Sequence, residues 1–513
     1  EWVTASYDNQ KPGSSYLTYS NFAGPPKLEG DPNVYGKVGE ATSHSLEYAG
    51  GGSLTFSAVG LPPGFALNSS TGEITGTPLT SGTSQATITV DGSNSAGEPM
   101  SDVRAYTFTV TDMADFVFKM DFNVTGYTGA STLTDFPVLV DLHKDLTVSG
   151  GGTANFTYNS FLSPTGDDLR FFSANGRELA YDVEVWDSTG HSLVWVQVPS
   201  LSGTTTTITA AWGNEAAASV PSYAIDGSTW NNGFAATWHF ASEVAGSFVD
   251  SSPSPYHAVA NGAIVDTSGQ IGSAASFDGT TWADVSFTSA LNPDVFSATA
   301  WAKRASGSGN DYRAVFSSRD NPQSGYIIYS KSGQFQFWTG PGWDTNPKSN
   351  HSDNTWHHVA ITYDGTTKRI YIDGVAGGTS TPTFGKNTVT NFRIGAGANE
   401  SITGNYFWQG QIDEARISSV ARSADWIAAS HENQYSPSSF FTFGGVTGPR
   451  IITSPLEVTV TVSQAFTYNL TAIGTTPGVA SYAAFNLPGG LQIDGTTGAI
   501  TGTPTVAGLF EVP

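Results

Sequence analysis

Short runs in which apolar and polar residues alternate, bounded by Gly, Pro, Asp and Asn, recur along the whole chain and predict β-strands. Phe136-Pro-Val-Leu-Val-Asp-Leu142 and Ser192-Leu-Val-Trp-Val-Gln-Val198 place apolar side chains at every second position. Because side chains alternate across a strand, this period of two predicts strands buried on one face. Asp-Gly pairs at 364–365 and 373–374 stand between such runs and predict tight hairpins. One segment departs from this pattern: from Ser423 to Asn433, Trp426, Ile427 and Ser430 recur at helical spacing and predict a short helix. No stretch of about 18 apolar residues occurs, so no bilayer-spanning helix is predicted.

Length and composition extend this picture. A chain of 513 residues is too long for one core, since single cores stop growing near roughly 250–300 residues. Charged residues are 13% and aromatic residues 12%, with 58 glycines, a mix that suits short strands and tight turns. The fold class expected is all-β, built from several domains. The net charge of −23 is spread through the loops; nucleic acid is excluded as a partner because phosphates demand a basic face, whereas divalent cations suit such a surface. The absence of cysteine excludes disulfides, thiolate metal sites and cysteine nucleophiles.

Internal repetition organises the ends. Leu61–Gly82, LPPGFALNSSTGEITGTPLTSG, returns without a gap as Leu487–Gly508, LPGGLQIDGTTGAITGTPTVAG, with 11 of 22 positions identical. Each copy reads as a strand, a turn at a Thr-Gly pair, a second strand and a Gly-Thr-Pro break, proline being unable to donate to a ladder. These residues resemble the immunoglobulin-like repeats of bacterial surface proteins, which act mostly as spacers. The domains expected are an Ig-like repeat over 25–112 and a second over 449–513, preceded by an extended segment, 1–24. The first copy runs on from Gly82 to Asp112, through strand-like Ala86–Val90 and Tyr106–Val110, whereas five residues follow Gly508 in the second. The second copy is therefore expected to be incomplete: either the parent chain continues, or a strand from another molecule completes it, with Tyr16–Phe22 as candidate donor.

Between the copies lie two further regions. Residues 113–229 read as a β-sandwich; FPVLVDL, DDLRFFSANGRELAYDVEVWD, LVWVQVPSL and AAWGN resemble a bacterial family of unassigned function that commonly precedes a lectin-like domain. Residues 230–448 carry Trp238-His-Phe240, Asp250-Ser-Ser252, Ser276-Phe-Asp-Gly279, Trp356-His-His-Val-Ala360, Tyr371-Ile-Asp-Gly374 and Gly410-Gln-Ile-Asp-Glu-Ala-Arg-Ile417. In order and in content these resemble the laminin-G-like, concanavalin-A-type jelly roll. The resulting architecture is four tandem β-sandwiches: Ig-like, sandwich, jelly roll, Ig-like.

Candidate chemistry is sparse. The two-carboxylate strand of jelly-roll glucanases has its nearest counterpart in Ala180-Tyr-Asp182-Val-Glu184, where the first glutamate is Ala180. Asp182 and Glu184 read as polar-face residues or as ion-pair partners of Arg170 or Arg177. No His-Glu-x-x-His string or Gly-x-Ser-x-Gly elbow occurs, and adjacent His357 and His358 point to opposite faces of a strand and cannot share an ion. No catalytic residue is assigned. The jelly-roll resemblance implies a structural Ca2+ held by Asp413 with carbonyls near Asp278-Gly279 and around Trp238–Phe240; the alternative is that Asp413 caps a turn or pairs with Arg416. A glycan site needs aromatic platforms beside amide and carboxylate groups. Phe335–Asn346 has that content in Trp338, Trp343, Asp344 and Asn346, with Tyr312 as a further candidate. Trp343 is favoured because Pro341-Gly342 and Asp344 place it in a loop.

The function expected is non-catalytic adhesion or carbohydrate recognition in a large bacterial surface or secreted protein, outside the cell. Its partners would be a glycan or cell-surface polysaccharide, with self-association possible and no membrane insertion. Two alternatives stand beside it: a stalk or filament subunit completed by strand donation, and an accessory region of a polysaccharide-degrading enzyme.

Overall fold

The computed structural model describes residues 25–512 apart from 31, 40, 51–52, 94–97, 150, 204–205, 245, 308, 310–311, 321–323, 342–346, 398–405, 450, 453, 456 and 474–480. The chain divides into two compact units, one ending at Asp115 and one beginning at Phe116.

In the first unit, Asn33–Lys37, Pro99–Thr111, Gly82–Ser93 and Thr55–Val59 form one sheet, and Thr42–Ser45, Glu73–Gly76 and Phe65–Leu67 a second. Val34, Phe56, Ile74, Ile88, Tyr106 and Phe108 fill the core. The repeat motif is a hairpin in which Phe65 pairs with Gly76 and Leu67 with Ile74. Its turn is held by Asn68, whose Oδ1 accepts from the amides of Ser70 and Thr71. The second copy repeats this hairpin, with Leu491–Ile493 and Phe466–Asn469 on either side of Ala499–Gly502. The candidate donor Tyr16–Phe22 lies outside the described residues.

The second unit opens with a sandwich of two sheets. The ladders of Leu133–Leu142 with Ser192–Leu201, and of the latter with Tyr181–Val185, form one. The other is ordered Glu178–Leu179, Arg170–Ser173, Thr207–Trp212, Phe118–Val124, Phe441–Phe443. That last strand comes from beyond the jelly roll. Residues 441–447 therefore pair with the second region, by Phe122 opposite Phe443 and Lys119 opposite Thr447, although the sequence reading places them in the third. The Asp-Asp-Leu-Arg motif is scaffolding. Asp168 accepts from the amides of Leu162, Ser163 and Gly213, and the Arg170 guanidinium donates to the carbonyls of Ala217 and Ser219.

The jelly roll is a continuous path of strands folded around one apolar core, which includes Trp238, Phe277, Phe316, Phe337, Phe392 and Ile417. Both Asp-Gly pairs turn hairpins, and Asp373 and Gly374 share positive φ, as a two-residue hairpin turn requires. The predicted helix runs Ala424–Tyr435, capped by the Ser423 hydroxyl on the Trp426 amide.

Candidate functional site

The residues named from sequence fall in three places. Trp343, Asp344 and Asn346 lie outside the described residues. Trp338, on strand Gln334–Thr339, is only 3% exposed and packs with Ala314, Ile327 and Tyr329. Arg319 lies over its ring at 5.0 Å. A ring so covered offers no free face for a ligand, which corrects its reading as a platform. Tyr312 joins the margin of that cluster, stacked on Tyr406 at 5.2 Å, with its hydroxyl accepting from Lys331 Nζ at 2.6 Å.

The three calcium candidates are not brought together. Asp278 faces Gln409 across the ladder, and four residues of extended strand, roughly 13 Å, separate Gln409 from Asp413. Asp278 Oδ1 is taken up by its own turn, accepting from the amides and hydroxyls of Thr280 and Thr281. Gly279 supplies that turn's positive φ. Asp413 is buried elsewhere: Oδ2 accepts from the Ile271 amide at 2.9 Å, while Oδ1 has no hydrogen-bond partner. Register thus sets the Asp278-Gly279 turn apart from Asp413, whereas Trp238, of the other expected carbonyl stretch, lies opposite Ala415, two residues from Asp413.

An aromatic and polar surface does exist, on strands that the sequence reading passed over. Ala258–Asn261, Trp282–Val285 and Phe392–Ile394 are antiparallel neighbours, with Trp282 opposite Asn261 and Asp284 opposite Arg393. Ala283, Val285, Phe392 and Ile394 point into the core. By alternation Trp282, Asp284 and Arg393 then face outward, and all are partly exposed. Asp284 is the hub. Its Oδ2 accepts from Trp282 Nε1 at 3.0 Å and Asn261 Nδ2 at 3.1 Å, and its Oδ1 from Arg393 Nε at 2.9 Å. The Arg393 guanidinium lies 5.5 Å from the Trp282 ring centroid, and Phe407 flanks the indole at 5.4 Å. An indole held beside a carboxylate, an amide and a guanidinium can stack on the C–H face of a sugar and hydrogen-bond its hydroxyls. The available signal was the alternation in Thr281-Trp-Ala-Asp-Val285, which turns Trp282 and Asp284 to one face.

A second concentration of polar groups is buried where the sandwich meets the jelly roll. Asp182 and Glu184 reach from Tyr181–Val185 to His239 on strand Phe234–Val244, whose ring in turn meets Glu414 on strand Gln409–Ser418. Glu414 has positive φ at a bulge, where the register with Phe296–Arg304 shifts between Thr299 and Trp301. The bulge sets Asp413, Glu414 and Arg416 around one point. Burial, then the charge of Glu414, pushes the Glu184 carboxyl well above its ordinary range. Burial also opposes charge on His239 and Glu414, but their mutual attraction outweighs it. The imidazolium is held well above its usual range, and Glu414, which also faces Arg416, falls to about 2. His239 and Glu414 come from the third region, so no local string of the second could reveal this grouping.

Three family models match. "Concanavalin A-like lectin/glucanases superfamily" covers residues 275–428, "Putative Ig domain" covers 25–111 and 448–513, and "Domain of unknown function (DUF2341)" covers 165–230. No curated protein matches the chain. Among solved structures, the binding domain of Paraclostridial Mosquitocidal Protein 1 aligns at 13% identity and TM-score 0.32, over 39% of this chain and 52% of that one. Domain 4 of AbnA, a GH43 extracellular arabinanase from Geobacillus stearothermophilus, in complex with arabinotriose, aligns at 20% identity and TM-score 0.31, over 38% and 96%. The receptor binding domain of botulinum neurotoxin mosaic serotype C/D aligns at 14% identity and TM-score 0.32, over 40% and 51%. The chain spans about half the length of the two toxin domains, and overlaps of this size establish no shared activity. The chain is a modular, nearly all-β protein in which two Ig-like copies bracket a domain of the DUF2341 family and a concanavalin A-like domain.

Proposed function

We propose that this chain is a non-catalytic, extracellular carbohydrate-binding region whose ligand face is the Trp282 surface of the jelly roll, with the Ig-like copies serving as spacers. The observation that carries this reading is the Asp284 hub. One carboxylate fixes an indole, an amide and a guanidinium on a single partly exposed face, the combination that sugar recognition needs. The match of residues 275–428 to a lectin and glucanase superfamily model supports it. Hydrolysis is disfavoured because the Glu184 side chain is 0% exposed and the first position of the two-carboxylate pattern is Ala180.

Glycan-array screening of the full chain tests the reading. Retention on at least one polysaccharide class is expected, weakened tenfold or more by Trp282→Ala and by Asp284→Asn, with reducing-sugar release at background. A chain that retains no glycan, or one whose retention both substitutions leave unchanged, overturns it.

A further inference from the structure

We propose that Glu184, His239 and Glu414 form a binding site for one divalent transition-metal ion of the zinc or manganese class, joining the sandwich to the jelly roll. One ligand atom from each lies within 4.8 Å of the others. His239 Nδ1 is 2.7 Å from Glu414 Oε1 and 3.7 Å from Glu184 Oε2. A tetrahedral ion with bonds of about 2.1 Å holds its ligands about 3.4 Å apart, so these separations bracket what such an ion needs.

Independent features point to a ligand rather than to a self-sufficient ion-pair network. Glu184 Oε1 is buried with no hydrogen-bond partner, on a side chain that is wholly buried. Such an oxygen is costly as part of a carboxylate unless a cation meets it, and without one the group keeps its proton. Glu414 and His239 are also oriented from behind, and Glu184 is held at the oxygen that lies nearer His239. Trp195 Nε1 donates to Glu184 Oε2 at 2.7 Å, and Arg416 donates to Glu414 Oε2. Asp182 Oδ2, itself held by Trp230 Nε1 at 2.8 Å, lies 3.5 Å from His239 Nε2, the ring nitrogen turned away from Glu414. A carboxylate behind an imidazole, with the other nitrogen facing the ion, is the usual outer support of a ligating histidine. A cavity of 340 Å³ lined by Asp182, Glu184, His239, Val249 and Ser251 lies alongside Asp182 and His239.

An imidazole among the ligands selects the class of ion. Calcium takes oxygen ligands, whereas one nitrogen with two carboxylates suits Zn2+ or Mn2+. Since Glu184 comes from the sandwich and the other two ligands from the jelly roll, the ion would lock the two together.

The test uses the full chain carrying His191→Ala, because Asp141, His143 and His191 form a separate group able to take such an ion. After chelation, the protein is titrated calorimetrically with Zn2+, Mn2+ and Ca2+, and X-ray absorption is recorded on the loaded sample. One equivalent of Zn2+ or Mn2+ in a nitrogen and oxygen shell containing a single imidazole is expected, with affinity at least tenfold weaker in Glu184→Gln and in His239→Gln. Binding of Ca2+ alone, no binding, a shell with two imidazoles, or affinity unchanged by either substitution overturns the proposal. Should either substituted chain fail to fold, the single-imidazole shell is sought in a chain that carries both His191→Ala and His143→Ala, where the Asp141 group keeps no imidazole.

Discussion

His357 and His358 show how one strand sends neighbouring residues to different fates. His357 Nδ1 meets Asp373 Oδ2 at 2.7 Å, whereas His358 is buried with its ring 5.4 Å from Trp301. Burial, and then the nearby His431, pushes the His358 imidazole down to about 3, so in the fold it stays neutral through mild acid. The unfolded chain takes up this proton below about pH 6.5. It then holds more protons than the fold, and stability must fall as pH drops from about 6.5 toward 3, by up to about 1.4 kcal/mol per pH unit from this group. Calorimetry of the chain from pH 7 to pH 4.5 should show that His358→Phe shortens this acid-side decline. An unchanged decline would mean that other groups govern it.

The hairpin of the Ig-like motif is the element on which sequence and structure agree most closely, and the reason is steric. A Cβ on Gly76 would stand 2.0 Å from the Gly64 carbonyl oxygen, and one on Gly64 2.1 Å from that of Thr77. In the second copy Gly502 and Gly490 stand in the same relation, at 2.0 Å each from Gly490 O and Thr503 O. The two strands approach too closely for any side chain, which explains why glycine recurs at these positions in both copies. Gly76→Ala is expected to destabilise the first unit by about 2–4 kcal/mol through forced backbone displacement. Gly39 has positive φ but nothing within 4 Å of its would-be Cβ, so Gly39→Ala should cost only about 1–2 kcal/mol of left-handed strain. Urea titration read by hydrogen exchange in strand Gly82–Ser93 separates the two, and equal losses would refute the steric account.

On the scale of the whole molecule, the sandwich and the jelly roll share contacts that no domain-by-domain reading contains. Asn433, on the predicted helix, is 1% exposed; its Oδ1 accepts from the Leu139 amide at 2.6 Å and its Nδ2 donates to the Leu139 carbonyl at 3.0 Å. Leu139 sits on the edge strand of its sheet, so this one side chain satisfies backbone groups that an edge would leave unpaired. Trp426 packs on Phe136 at 4.7 Å beside it. Asn433→Ala strands a buried donor and acceptor and should cost about 2–4 kcal/mol, seen as a lower urea midpoint with the sandwich and jelly roll losing cooperativity. A midpoint unmoved by the substitution would show that the helix is not what couples them.

The sequence by itself determined the all-β class, the paired Ig-like motifs, the Asp-Gly hairpins and the short helix at Ala424–Tyr435, because each rests on local periodicity, turn chemistry or glycine sterics within a few residues. It also singled out Trp338 and Asp413 as candidates, but it could not say which way the chemistry pointed. Trp338 turned inward under Arg319, and register put Asp278 about four residues along the ladder from Asp413. Only the tertiary structure decided the rest. Trp282 and Arg393 lie 111 positions apart (393 − 282) and Glu184 and Glu414 230 apart (414 − 184), and ladders and a bulge bring them together; long-range pairing of this kind leaves no mark in any local pattern.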